Sequence, residues 1–137
     1  MEQISIVASG PVIIEKGKLI VSQHGEDDFY KIPGGRVKER ESLEKTCIRE
    51  FAEETGLECE IVEKLHTQKL DKNPQTGEPA NIELHHYKCK LKMNPTNYNS
   101  FEHAGHKVYW LDISEIKQGK YNVAPNIKFL IEKGDIN

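Results

Sequence analysis

Gly35-Arg-Val-Lys-Glu-Arg-Glu-Ser-Leu-Glu-Lys-Thr-Cys-Ile-Arg-Glu-Phe-Ala-Glu-Glu-Thr-Gly-Leu57 is the stretch on which the reading of this chain turns. It is entered through Ile32-Pro33-Gly34-Gly35. Proline biases Ile32 toward extended backbone, and the paired glycines permit conformations closed to other residues, so a tight turn is expected. From Ser42 the pattern becomes helical. Leu43, Cys47, Ile48, Phe51 and Ala52 recur at three- and four-residue steps and make one apolar face. Ser42 is the expected N-cap and Gly56 the expected stop.

The acids of this helix need a reason. Glu50, Glu53 and Glu54 are spaced i, i+3 and i, i+4, so their carboxylates share a face beside the apolar one. Each like-charge pair costs an isolated helix about 0.2–0.5 kcal/mol. Arg49 is the basic residue nearest in sequence. Clustered carboxylates on a half-buried edge suit a hard divalent cation such as Mg²⁺, which takes oxygen ligands, keeps several waters and is commonly shared with substrate phosphates. The blander reading is a solvated acidic face, common in a chain that is 30% charged. The helix alone leaves both open.

The full spacing is more specific. A glycine, five residues, Glu41, seven residues, Arg49-Glu50, an apolar residue, any residue, Glu53-Glu54, any residue, Gly56 and the apolar Leu57 fill every fixed position of a long motif. The stretch closely resembles the Nudix box, and Ile-Pro-Gly before it is similar to what that family places there. The likeness implies an α/β fold, a Nudix-type α/β/α sandwich with a mixed, curled β-sheet. It implies hydrolysis of a diphosphate bond in a nucleoside diphosphate linked to another moiety, dependent on Mg²⁺ with Mn²⁺ as a substitute. Glu50, Glu53 and Glu54 are then the metal ligands, joined by the backbone carbonyl of Gly34. Arg49 pairs with Glu41 to orient the box. The general base is Glu50, Glu53 or Glu102, the last because family members often supply an acid from the loop before the final strand. Phe29 and Tyr30 are candidates to stack on a base, with core packing expected for at least one of them. Arg36, beside the glycines, is a further candidate substrate contact.

Length and composition agree. At 137 residues the chain reads as a single domain, 1–137, large enough to bury a core without staples. A net charge of −3 leaves no footprint for non-specific nucleic-acid binding. No stretch is long and apolar enough to span a membrane, and Met1-Glu2-Gln3 lacks the basic-then-apolar order of a signal peptide. Cys47, Cys59 and Cys89 are odd in number and without CxxC spacing, which reads as reduced packing thiols and a cytoplasmic location.

Outward from the box, Ile4–Ile14 is β-branched, with a bulge or bend expected at Ser9-Gly10-Pro11. Lys16-Gly17-Lys18 signals a turn into Leu19-Ile20-Val21, and a strand through Phe29–Ile32 is expected to deliver the chain into the box. Residues 57–70 read as one strand, 71–80 as a loop, and 82–91 as an antiparallel partner strand. His85 and His86 point to opposite faces of that strand and are not expected to hold one ion together; at most one of them faces the substrate cleft, and surface positions are the favoured reading. Residues 92–106 read as a turn-rich loop holding Glu102, followed by the strand Val108–Leu111. Asp112 with Glu115 resembles a capping box, and Ala124-Pro125 sets the start of a last helix ending at Gly134. No residue outside the box marks the linked moiety. Small MutT-like members act on nucleoside triphosphates, which makes that the first substrate reading. An ADP-ribose or nucleotide-sugar pyrophosphatase and a non-catalytic nucleotide-sensing module are the alternatives. The expected partner is a small nucleotide. Homodimers are common in the family, but nothing here marks an interface.

Overall fold

The computed structural model describes residues 4–137, so Met1-Glu2-Gln3 lie outside the described residues. In chain order the elements are β1 (Ile4–Val12), β2 (Ile14–Glu15), β3 (Lys18–His24), β4 (Gly35–Arg36), α1 (Leu43–Thr55), β5 (Cys59–Lys64) and β6 (Gln68–Lys72). They continue with β7 (Pro79–Leu91), β8 (Phe101–His103), β9 (His106–Asp112), α2 (Ile113–Lys117) and α3 (Pro125–Glu132). The helix ends follow the local chemistry. Ser42 accepts the Lys45 N–H at the start of α1, and Gly56, at φ 72°, closes it by donating to the Ala52 carbonyl. Asp112 caps α2 by accepting from Ser114, and Pro125 opens α3.

Two sheets form. The larger has the order β4-β1-β7-β5, with β6 also paired to β7, and the smaller has the order β2-β3-β9-β8. β1 and β7 run parallel without a break from Ile4↔Ala80 to Val12↔Lys88, so the bulge expected at Ser9-Gly10-Pro11 is absent. Pro11 is tolerated because β4 pairs with Ala8 and Ser9 alone, leaving one flank of β1 without a ladder there.

Three other expectations are revised. Residues 57–70 divide into β5 and β6, both antiparallel to β7. The break is held where Asp135 accepts from both the backbone N–H and the ring of His66, at 2.9 and 2.8 Å. Phe29–Ile32 forms only the isolated bridges Ser22↔Lys31 and Tyr30↔Val123. The loop before the last strand contains β8, which pairs with β9.

Helix α1 lies between one face of the larger sheet and one face of the smaller. Its Cys47 and Phe51 pack with Cys59, Tyr87 and Cys89 on one side and Ile20 and Val108 on the other. Phe51 is fully buried, and its truncation to alanine would cost about 3–5 kcal/mol. Helices α2 and α3 cover the far face of the smaller sheet, where Ile116, Ile127 and Leu130 meet Leu19, Val21 and Leu111. The result is the mixed α/β fold expected from the sequence, with α1 held between the two sheets. Among the described residues no helix is long and apolar enough to cross a membrane.

Candidate active site

One guanidinium organises the acids of α1. Arg49 grips Glu41 with both arms of its fork, Nε to Oε2 at 2.7 Å and Nη2 to Oε1 at 2.9 Å. Nη1 donates to Glu50 at 2.9 Å and to Glu53 at 3.1 Å. Nη2 also reaches the Arg36 carbonyl at 3.3 Å, tying the helix to β4. The Arg49 bonds, helped by the Thr46 hydroxyl, hold the Glu41 carboxyl well below the usual carboxylate range. Repulsion along the acidic helix face is thus offset by a shared cation.

Glu54 stands apart from that cluster. It is 6% exposed, and its Oε2 accepts the Gly34 N–H at 2.7 Å. Its Oε1 lies 3.8 Å from His106 Nδ1, a buried nitrogen with no hydrogen-bond partner. Burial, opposed by the Gly34 bond, pushes the Glu54 carboxyl up to about 7. A buried acid with one hydrogen bond and an unpartnered imidazole beside it is a place where added positive charge is stabilised. Glu50, one helical turn before Glu54, and Glu53, the residue just before it, add hard oxygen donors. Among the described residues no three such side chains already converge on a point, because Glu50 and Glu53 are drawn onto Arg49. The donor set therefore fits an oxygen-seeking divalent cation that keeps some of its waters, rather than a closed protein cage.

The segment Pro33-Gly34-Gly35 runs between α1 and β1 in tight contact with both. A Cβ on Gly10 would run into the Pro33 carbonyl. One on Gly35 would stand 2.7 Å from Glu50 Oε1. The glycines are required here by close approach.

On the other side of that segment lies a cleft of about 540 Å³. Its floor is the face of the larger sheet turned away from α1: Ile6 and Ala8 of β1, Ile82 and Leu84 of β7. Phe29 and Lys31 border it, and Asn126 from the first turn of α3 closes one end. His86 lines it too, fully packed at 1% exposure, so the surface position expected for His86 is corrected. Its place in the strand puts it on the same face as Leu84. His85, on the opposite face, meets Lys64 at 2.8 Å and Glu83 at 3.1 Å.

A profile of the NUDIX domain matches residues 6–131. The chain belongs to the Nudix family. It is 26% identical over 112 residues to the Xenopus laevis protein nucleoside diphosphate-linked moiety X motif 6, a match covering 80% of this chain and 50% of that protein. The chain thus spans about half the length of that relative. Among solved structures, the MutT protein from Methanosarcina mazei Go1 superposes with a TM-score of 0.73 at 20% identity, covering 98% of this chain and 96% of that one. A NUDIX hydrolase from Nitrosomonas europaea superposes with a TM-score of 0.75 at 19% identity, covering 93% of this chain and 86% of that one. At these identities the likeness shows the fold.

The Nudix fold gathers only part of the residue set read from the sequence. Glu50, Glu53, Glu54 and Gly34 are brought together, with Arg49 and Glu41 behind them. Phe29 lines the cleft, whereas Tyr30 is packed edge-on against Tyr109 and Tyr121, at 5.2 and 5.8 Å, in the core. Arg36 is exposed on β4 beside the box. Glu102 is exposed on β8 opposite Lys107, while its neighbours Phe101 and His103 face α1. Alternation along the strand turns Glu102 to the face away from the box. Asn126 and His106 are site residues that the sequence reading missed, and His86, one of a pair of which at most one was expected at the cleft, was read to the surface. Their signal is positional: each acquires its role from a partner distant in the chain.

Proposed function

We propose that this chain hydrolyses the diphosphate bond of a nucleoside diphosphate linked to another group, with nucleoside triphosphates as the first substrate class and pyrophosphate as a product. The observation that carries this reading is the arrangement of the site. A cleft with an apolar floor, large enough for a nucleoside, is separated from the box carboxylates only by the glycine segment. A nucleoside seated on Ile82 and Leu84, with Phe29 beside it, would direct its phosphates past Lys31 and Gly34 toward Glu50, Glu53 and Glu54.

Mg²⁺, or Mn²⁺ in its place, would be held by Glu50, Glu53, Glu54 and the Gly34 carbonyl. Bound there, the ion would neutralise phosphoryl oxygens and acidify a coordinated water. The protein's part is positional and acid–base. Arg49 keeps the carboxylates of Glu50 and Glu53 oriented, and Gly34 fixes that of Glu54. A box carboxylate takes the proton as the water oxygen bonds to phosphorus and the bridging P–O bond breaks. Glu53 is the more exposed of the two held by Arg49, at 55% of its side chain against 18% for Glu50, and is the first candidate base. Glu102 is the alternative. The buried thiols Cys47, Cys59 and Cys89 agree with a reducing compartment, the cytoplasm.

The test is product release from a panel of deoxynucleoside and oxidised nucleoside triphosphates, ADP-ribose, nucleotide sugars, dinucleoside polyphosphates and coenzyme A, with Mg²⁺ and then Mn²⁺. Turnover of one class, abolished by EDTA and by Glu54→Gln, supports the reading. Nucleotide sugars turned over in preference to triphosphates would move the substrate assignment. Tight binding without turnover would make the protein a nucleotide-sensing module.

A further inference from the structure

On the side of the larger sheet that carries α1, a charged cluster stands outside the chemistry proposed above. Glu83, His85 and Tyr87 are alternate residues of β7 and so share that face, and Lys64 lies opposite Tyr87 on β5. Lys64 Nζ sits 4.6 Å from the centroid of the Tyr87 ring, whose hydroxyl donates to Glu44 of the first turn of α1 at 2.7 Å. Nζ also lies 2.8 Å from His85 Nδ1, and His85 Nε2 lies 3.1 Å from Glu83 Oε1. A carboxylate only accepts, so Nε2 carries the ring proton and Nδ1 is free to accept from the Lys64 ammonium. The Thr67 hydroxyl, 3.2 Å away, is a second donor to Nδ1. Lys90 and Lys120 each pair with a carboxylate, Glu60 and Glu115, which holds the proton on the amine. Lys64 instead meets a nitrogen that takes the proton. Burial, opposed by Glu44, Cys47 and Glu83, lowers the Lys64 pKa from the ordinary lysine value, while the residue remains exposed to reagents in solvent.

We propose that Lys64 is a nucleophilic acylation site, its Nζ taking the acyl group of a thioester while His85 serves as base and Glu83 as a positioning residue. An amine, a base within hydrogen-bond reach and a carboxylate that orients the base are the parts an activated nucleophile needs. One ammonium proton passes to His85 Nδ1, and the freed lone pair of Nζ bonds to the acyl carbon. The C–S bond breaks, the sulfur leaves as a thiol with the second ammonium proton, and the third stays on the new amide. His85 returns its proton to solvent. Glu44 and Glu83 place negative charge around the amine, which disfavours a dianionic donor such as an acyl phosphate and admits an uncharged thioester. The inference stands independently of the proposed hydrolysis.

The test exposes the protein for timed intervals to S-acetyl-N-acetylcysteamine, an uncharged thioester, and follows each lysine by peptide mass spectrometry. Lys64 of the wild type should be acetylated at least about tenfold faster than Lys90, short of the roughly hundredfold that a positioned base contributes in a closed active site. A smaller ratio overturns the proposal, and this comparison needs no variant. His85→Gln, whose amide oxygen still accepts from Lys64 but takes no proton, should bring Lys64 to within about threefold of Lys90, with circular dichroism checking the fold. A ratio that survives overturns the role of His85 as base. Nitrogen-15 NMR of the His85 ring should find the proton on Nε2; a proton fixed on Nδ1 overturns the mechanism. Glu83→Leu should mix the two tautomers and lower the ratio about threefold, and Glu83→Gln, whose amide oxygen accepts the same N–H, should restore both. A ratio untouched by Glu83→Leu overturns the positioning role. With acetyl phosphate the ratio of Lys64 to Lys90 should be smaller than with the thioester; an equal or larger ratio overturns the choice of donor.

Discussion

Glu54→Gln should stabilise the cation-free protein while destroying its activity. The buried carboxyl is displaced from 4.5 to about 7, with burial as the leading cause. Each pKa unit is worth about 1.36 kcal/mol, so the ionised form costs the fold about 3 kcal/mol. Between pH 4.5 and 7 the folded state holds a proton that the unfolded chain has released, so stability falls as pH rises through that window. Above it the full cost is present. Glutamine removes the charge, keeps an oxygen for the Gly34 N–H, and can turn its amide toward the unpartnered Nδ1 of His106. Urea denaturation in EDTA should show wild type and variant alike near pH 4.5. By pH 8 the variant should be more stable by about 3 kcal/mol, or about 10 °C in Tm for a domain of this size. Its Mg²⁺-dependent kcat should fall by about a thousandfold or more, since a charged ligand is lost where phosphoryl charge develops. A variant no more stable than wild type at pH 8, or a stability gap that does not grow with pH, would refute the buried-charge argument. Full activity in the variant would refute the metal assignment.

Arg49→Lys keeps the charge but loses the fork on Glu41, and charge-assisted bonds are worth about 1.5–3 kcal/mol each; kcat/KM should fall about 100-fold, and a drop under fivefold would make the guanidinium dispensable. Gly35→Ala places a methyl against the Glu50 carboxylate. Misplacing a reacting group by about 1 Å costs on the order of 100-fold, so kcat should fall by that factor with the circular dichroism unchanged; near wild-type turnover would show that the box tolerates the displacement. Glu102→Gln should keep kcat within about threefold, less than a hydrogen bond's worth, because its side chain lies on the face away from the box. A hundredfold loss would identify Glu102 as the base and require the β8–β9 hairpin to turn when substrate binds.

Reading a helix from sequence works because its neighbours are four residues apart. The spacing of Ser42, the apolar face of α1, Gly56 and the three box glutamates fixed the helix, its ends and the shared carboxylate face. The Arg49–Glu41 pair was legible through the family motif. The Asp112 cap of α2 and the proline that opens α3 were readable for the same local reason. The sequence also carried the family, since a long motif with every fixed position filled leaves little room for coincidence. Tertiary structure decided what depends on register and burial. A strand residue's face changes with a single-residue step, so nothing local told that His86 would be buried against α3 or that Glu102 would turn outward on β8. Tyr30 was separated from Phe29 by Tyr109 and Tyr121, which reach it from β9 and from the segment before α3. The three box glutamates look equivalent as a string of letters. Glu50 and Glu53 share an arginine, whereas Glu54 is buried beneath the glycine segment, and it is that difference in solvation which gives one carboxyl a displaced pKa.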